Sequence, residues 1–334
     1  MNYNVNKYHF GIGPLSKNIV DACIDFSNRY NIGMCFIPSR RQMDISDGYS
    51  NGWTTKSFSE YVKSKSKNIS IKRDHAGPNQ GSCFDDGIDS ILNDCKYFEY
   101  IHIDPWKIAK NFNHGCELTK KYIDICYDAN QSVAYEIGTE ESIFKYESED
   151  LEKLILFLKS SLNEKKFNRI KFAVIQCGTS LAYNENLGQY DEIRLEKMIK
   201  VCNKYNLISK EHNGDYLQTK LIYQKFDKGL LSINLAPEFG QIETNIYLTE
   251  ILDTDLLERF FEICNESKKW QKWVDKDFDP NKNKIKTINI CGHYVLSDKK
   301  FINEIKNRLR PDIDRIIKNK ITLRLHELYE RFKS

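Results

Sequence analysis

"ISIKRDHAGPNQG", residues 69–81, starts as a β-branched apolar run, ends in Arg73, Asp74 and His75, and is stopped at once by Gly77 and Pro78. The run over 69–74 reads as a buried strand closed by a turn. Three ionisable side chains at the end of such a strand suit one architecture above others. A barrel of parallel strands carries its active site on the C-terminal ends of the strands and on the loops that follow them.

Seven further runs repeat the pattern: "YHFGIG" (8–13), "GMCFIP" (33–38), "YIHID" (100–104), "VAYEIG" (133–138), "IKFAVIQC" (170–177), "LISKEH" (207–212) and "LLSINLA" (230–236). Between them lie segments of helical periodicity, such as "SKNIVDACIDFSNRY" after Leu15, "TTKSFSEYVKSKSK" with Thr54 or Thr55 as N-cap, and "EDLEKLILFLKSSLNEKKF". Eight strand–helix units over about 240 residues predict an α/β chain folded as a (β/α)8 TIM barrel, for which roughly 250 residues is typical. A doubly wound open sheet is the alternative, but no G-x-G-x-x-G follows the first strand.

Residues 1–250 are read as the barrel and 251–334 as a C-terminal helical extension packed on it. The late segments are "LTEILDTDLLERFFEICNESKKWQKW", a short apolar piece "TINICGHYVL", and "RPDIDRIIKNKITLRLHELYERFKS". The Asn- and Lys-rich "DPNKNKIK" (279–286) reads as an exposed loop.

Fifty Lys plus Arg against 47 Asp plus Glu leave a formal charge of +3, and the basic residues are scattered rather than blocked. Neither nucleic acid nor a membrane is indicated as a partner. The ten cysteines form no C-x-x-C pair, and the N-terminus has no apolar signal core. They read as reduced, mostly buried thiols of a cytoplasmic protein.

The strand ends carry the candidate site. Ser39, Arg40, Arg41 and Gln42 follow strand 2, Asp74 and His75 end strand 3, and Asp104 ends strand 4. Strand 5 carries Glu136 and is followed by Glu140; strand 6 ends in Gln176 and Cys177. Strand 7 ends in His212, before Asn213 and Gly214, and strand 8 carries Asn234 with Glu238 beyond.

Histidines and carboxylates converging from several strands suit a divalent metal, zinc or a harder ion such as manganese. His75 and His212 are the first candidates. His102 either faces the barrel interior or is structural, and His293 in "CGHYV" is placed to cap the site from the extension. Asp74, beside a His ligand, is placed to move a proton. Arg40, Arg41 and Arg73 are candidates to bind an anion through paired hydrogen bonds. Cys177 reads as a small buried residue.

At these residues the chain resembles the accessory-subunit family of tagatose-1,6-bisphosphate aldolase, a relative of the class II metal-dependent ketose-bisphosphate aldolases and of sugar epimerases. The matching pieces run in order: "GYSNGWTTKSFSEYV", "RDHAGPNQG", "YIHIDPW", "YEIGTEE", "KEHNGDYLQT" and the aromatic, basic stretch around "WQKWV". The resemblance implies a metal ligand at His75 and a proton-exchanging Asp74. It implies a second ligand at His212, substrate binding at Asn234 in "INLAPEF", and a carboxylate near the metal at Glu136. Strand 6 departs from the aldolases, with "VIQC" where they place a further ligand histidine. Glu136, Gln176 or Cys177 then completes the site, or the site is incompetent.

The expected function is a zinc- or manganese-dependent aldolase acting on a phosphorylated or otherwise anionic sugar through a metal-stabilised enediolate. Asp74, Glu136 and Glu140 would act as acid/bases, with His75, His212 and Glu136 as ligands. Arg40, Arg41, Gln42, Arg73, Asp104, Gln176, Asn213, Gly214, Asn234 and Glu238 would bind substrate. The alternatives are a sugar epimerase of the same fold and a non-catalytic subunit partnering a class II aldolase; a homo-oligomer is a further partner expectation.

Overall fold

A computed structural model describes residues 9–252 and 254–332. Its eight barrel strands are β1 (Phe10–Ile12), β2 (Met34–Phe36), β3 (Ile69–Ala76), β4 (Tyr100–Ile103), β5 (Ala134–Ile137), β6 (Ile170–Ile175), β7 (Ile208–Glu211) and β8 (Ser232–Leu235). Each pairs in parallel with its sequence neighbour, and β8 closes on β1 with Gly11 opposite Asn234. The fold is therefore a (β/α)8 TIM barrel followed by further helix. Tyr8, expected at the start of the first strand, lies outside the described residues.

The helices begin where the sequence supplies caps. Ser16 accepts from the Ile19 amide ahead of the helix Lys17–Tyr30. Thr54 and Ser57 form a reciprocal capping box ahead of Thr55–Lys65. Pro237 opens the helix Pro237–Ile251, where its missing N–H costs nothing.

The last helix, Ile313–Tyr329, lies against the barrel, with Tyr329 edge-on to Phe10 of β1 at 4.9 Å. Asn18 donates to Asp314 at 2.8 Å, and Arg324 pairs with Glu238 at 2.6 Å. Among the described residues no helix is long and apolar enough to cross a membrane.

Three local expectations change. "EDLEKLILFLKSSLNEKKF" is two helices, Ser148–Ser161 and Glu164–Phe167, because Asn163 caps a new start. The segment from 248 to 273 is likewise divided, into Pro237–Ile251 and Leu256–Ser267 with a short 3₁₀ turn after them. "DPNKNKIK" ceases to be loop at Lys284, where the helix Lys284–Cys291 takes in much of "TINICGHYVL". After β6 a two-stranded hairpin, Leu181–Ala182 with Glu185–Asn186, turns through Tyr183 and Asn184 at positive φ. The Tyr183 amide then donates to the Trp273 carbonyl, joining the hairpin to the C-terminal segment.

Candidate metal centre and its pocket

Consecutive strand residues point to opposite faces. Lys72 accordingly faces the barrel interior and Arg73 the helix layer, which leaves Asp74 inward and His75 outward. The pairing of β3 with β4 slips between Arg73 and Ala76, and His75 takes a left-handed φ of 47°. That irregularity re-aims His75, so Asp74 and His75 both line the pocket at the barrel mouth.

His75 meets His102 of β4 and His212, just beyond β7. Their ring centroids lie 4.9, 5.0 and 4.8 Å apart. Ligand-capable atoms of Asp74, His75, His102 and His212 all fall within 4.8 Å of one another.

The outer nitrogen of each imidazole is held by an acceptor. His75 Nδ1 meets Asp104 Oδ2 at 2.5 Å, His102 Nε2 meets the Gly138 carbonyl at 2.9 Å, and His212 Nε2 meets Glu136 Oε1 at 2.6 Å. An acceptor fixes the N–H on that nitrogen and leaves the other with a lone pair. His212 Nδ1 is buried and unpartnered, while His102 Nδ1 accepts from the His75 amide at 3.2 Å and lies 4.0 Å from Glu136 Oε1. Three imidazoles oriented from behind and gathered beside the Asp74 carboxylate are a donor set of the kind that suits a divalent metal, with the bare nitrogen at His212 and the His102 nitrogen engaged by the His75 amide.

Burial, against the Glu136 charge, brings His102 down to about 4, so it is neutral. Burial also opposes the charged form of His75, but Asp74 and Asp104 outweigh it and hold it up to about 10. Metal binding there would release that proton.

Glu136 is fully buried behind His212. Its Oε1 takes the His212 N–H, and its Oε2 is bridged to Lys72 and, at 3.4 Å, to Lys210. Burial would raise its carboxyl, yet Lys210 and Lys72 hold it well below the usual range. Neither Glu136 oxygen faces the pocket. Glu136, expected as metal ligand and acid/base, thus stands behind His212 and holds its ring, and His102 is the third imidazole of the cluster.

Other expected site residues divide between wall and interior. Arg41, Gln42, Glu140, Asn213 and Asn234 line a cavity of about 330 Å³ together with Asp74, His75 and His212. Asn234 Oδ1 is buried without a partner. Gly11 makes room for it, since a methyl at Gly11 would stand 2.3 Å from that oxygen. Gly214 permits the close passage of β8, where a methyl would meet Ile233 at 2.4 Å.

Five residues expected to bind substrate have their polar atoms engaged within the protein. Arg73 is held by Asp94, Thr55 and the Pro38 and Met43 carbonyls on the outer face of β3. Arg40 pairs with Asp44 at 2.8 Å and Asp85 at 2.6 Å, away from this pocket. Asp104 stands behind His75. Gln176 bridges Tyr146, Thr139 and Phe144, and Glu238 joins Arg324 to the Tyr216 amide. Cys177 is buried and donates to Glu211 at 2.9 Å.

The structure adds wall residues that were not assigned from the sequence: Lys107, Asp215, Lys272 and Tyr294. His293, which was placed as a cap from the extension, is also on the wall. Asp215 accepts from the Ala236 and Glu238 amides, and burial followed by the Glu238 charge raises its carboxyl well above the usual range.

Neither a family model nor a curated protein matches the sequence. Solved structures do match the fold. A protein described as a probable tagatose 6-phosphate kinase from Sinorhizobium meliloti 1021 superposes with a TM-score of 0.73 at 16% identity, over 97% of this chain and 99% of its own. The YdjI aldolase of Escherichia coli K12 gives 0.59 at 10% identity, over 99% and 93%. A fructose-bisphosphate aldolase from Campylobacter jejuni gives 0.60 at 13% identity, over 97% and 90%. At these identities the likeness is one of fold: the chain has the barrel that these aldolases have.

Proposed function

We propose that the protein is a metal-dependent aldolase acting on an anionic sugar. The observation that carries the reading is the cluster of three imidazoles and Asp74, each imidazole tied on one nitrogen from behind and the ligand-capable atoms of all four residues within 4.8 Å of one another. His75, His102 and His212 would hold the ion, with Asp74 beside them. A nitrogen-rich set favours zinc, with manganese as the alternative.

When bound, the ion supplies Lewis-acid polarisation of a substrate carbonyl. Asp74 takes the proton from the hydroxyl whose carbon–carbon bond is cleaved and returns it in the reverse direction. Asp104 and Glu136 fix the tautomers of His75 and His212, and Lys72 and Lys210 keep Glu136 ionised. The unpartnered Asn234 Oδ1 accepts a substrate hydroxyl. Glu140, which lines the same pocket as Asp74, is a second carboxylate, and that pairing favours sugar epimerisation as the second reading. A purely supporting role as the partner subunit of another aldolase gives no reason to gather three histidines and a carboxylate at one point.

The test is a metal-supplemented screen of ketose and aldose phosphates, following cleavage products and proton exchange from deuterated water. Cleavage supports the aldolase, and exchange with inversion but no cleavage supports the epimerase. Asp74→Asn should keep its metal and lose about 10²- to 10⁴-fold in turnover. Full turnover by metal-free protein would remove the mechanism.

A further inference from the structure

A second cavity, of about 900 Å³, lies beside the first, and none of Asp74, His75, His102 and His212 lines it. One side comes from the loops after β2 and β3 and from the start of the helix Ile88–Tyr97. The other comes from Lys268 and the turn Lys269–Trp273 beyond the barrel. Arg41, Tyr49, Lys272 and Tyr294 line both cavities, so the two are neighbours across these four side chains.

Asp47, Asp86 and Asp89 stand on the barrel side of the second cavity and Lys268 and Lys269 on the side of the later segment, all five exposed. Among the described residues none of the five forms an ion pair. Asp86 gives one oxygen to the Ile88 amide at 3.0 Å. Arg40, in the same cavity, is treated differently, with Asp44 and Asp85 both supplied to it.

Ser90 points to a ligand independently of these charges. It lines the cavity at 2% exposure, and its Oγ is buried without a partner. A hydroxyl so placed is a standing cost to the folded chain unless something bonds to it. Phe84 adds an apolar face: it is 94% exposed, between Cys83 and Asp85, both of which line the cavity.

These groups define the chemistry they can receive. Carboxylates accept and ammonium groups donate, so a ligand that meets both must itself donate and accept at several positions, as an array of hydroxyls does. The two signs nearly balance, which selects against a strongly charged ligand. An exposed aromatic ring suits the C–H face of a sugar ring. The volume is in the range of small-molecule sites.

We propose that the second cavity is a subsite for a neutral glycosyl unit, so that the sugar processed at the histidine cluster carries a further sugar ring. The inference rests on the proposed reading of that cluster as a metal site and widens the substrate from a single sugar to a glycosylated one. The linkage between the two units passes the shared wall, where the rings of Tyr49 and Tyr294 meet edge to face at 4.9 Å.

The test is calorimetric titration of EDTA-treated full-length protein with the methyl glycosides of glucose, galactose, mannose and N-acetylglucosamine. A methyl glycoside is locked as an acetal and offers no carbonyl to the histidine cluster, so it reports on the second cavity. Cys83 supplies a second reading, because it lines the cavity and is the one exposed cysteine among the described residues. At least one glycoside should bind and should slow the reaction of Cys83 with a maleimide. Its affinity should fall about tenfold in Asp89→Ala, Lys269→Ala and Phe84→Ala. Ser90→Ala should weaken binding while unfolding no more easily than the wild type, a split that a merely structural serine would not give. No binding by any of the four glycosides, binding that leaves Cys83 as reactive as before, or affinity unaltered in all four variants overturns the inference. Metal content of the untreated protein separates the two failures. Glycoside binding without metal sinks only the metal reading, and metal binding without glycoside binding sinks only this one.

Discussion

His293 is a buried imidazole that faces the pocket, and its Nδ1 has no partner. Burial, with repulsion from Lys272 behind it, brings it down to about 3, so it is neutral in the folded chain. The unfolded chain binds its proton near the ordinary histidine value of about 6.5. Between those values the unfolded state holds more protons, so stability from this residue is full above the upper one and lost as pH falls. His293→Gln should flatten the fall in unfolding free energy below pH 6.5 by up to about 1.4 kcal/mol per pH unit, measured by denaturant titration in EDTA. Parallel curves for wild type and variant would contradict the burial argument. At this scale Asp74, His75 and His212 were legible because each stands where an apolar run gives way to polar residues. Simple alternation from Asp74 points Arg73 outward, against its reading as an anion binder. The third imidazole of the cluster was not legible, because His102 and Glu136 are register partners on β4 and β5. Both are fully buried, and Glu136 is drawn onto the lysines of the barrel interior.

Those lysines belong to the elements. Lys72 on β3 and Lys210 on β7 enter the barrel interior and both reach Glu136 Oε2, and Lys72 also stands over the Phe172 ring. A carboxylate with two ammonium groups in a dry interior is stable only as a set. Glu136→Gln leaves two buried cations without a counter-charge, and should cost about 3–5 kcal/mol in denaturant unfolding. A loss below about 1 kcal/mol would show that water reaches the interior. The eight strands themselves were plain in the sequence because each is a short apolar run ended by Gly, Pro or a charge. Asn163, which splits a long helical pattern, shows why the helices were less so: a cap inside a periodic stretch carries the same periodicity on both sides.

For the whole molecule, the barrel supplies a floor of imidazoles from three strands, and the loops with the later segment supply the wall above it. The later segment was the part the sequence disclosed least. Lys272 and Tyr294 lie in short turns with no strand end to mark them, and their approach to the mouth depends on tertiary packing such as the Tyr183–Trp273 link. The central claim is that His75, His102 and His212 together hold one divalent ion. The direct measurement is metal content by mass spectrometry after zinc loading and dialysis, on the wild type and on His75→Ala, His102→Ala, His212→Ala and Glu136→Gln, with folding checked by circular dichroism. The account predicts about one zinc per wild-type chain. It predicts loss in each folded histidine variant and weaker retention, by about 10- to 100-fold in affinity, in Glu136→Gln. A wild type that keeps no metal, or a folded His102→Ala that keeps it as tightly as the wild type, would contradict the claim.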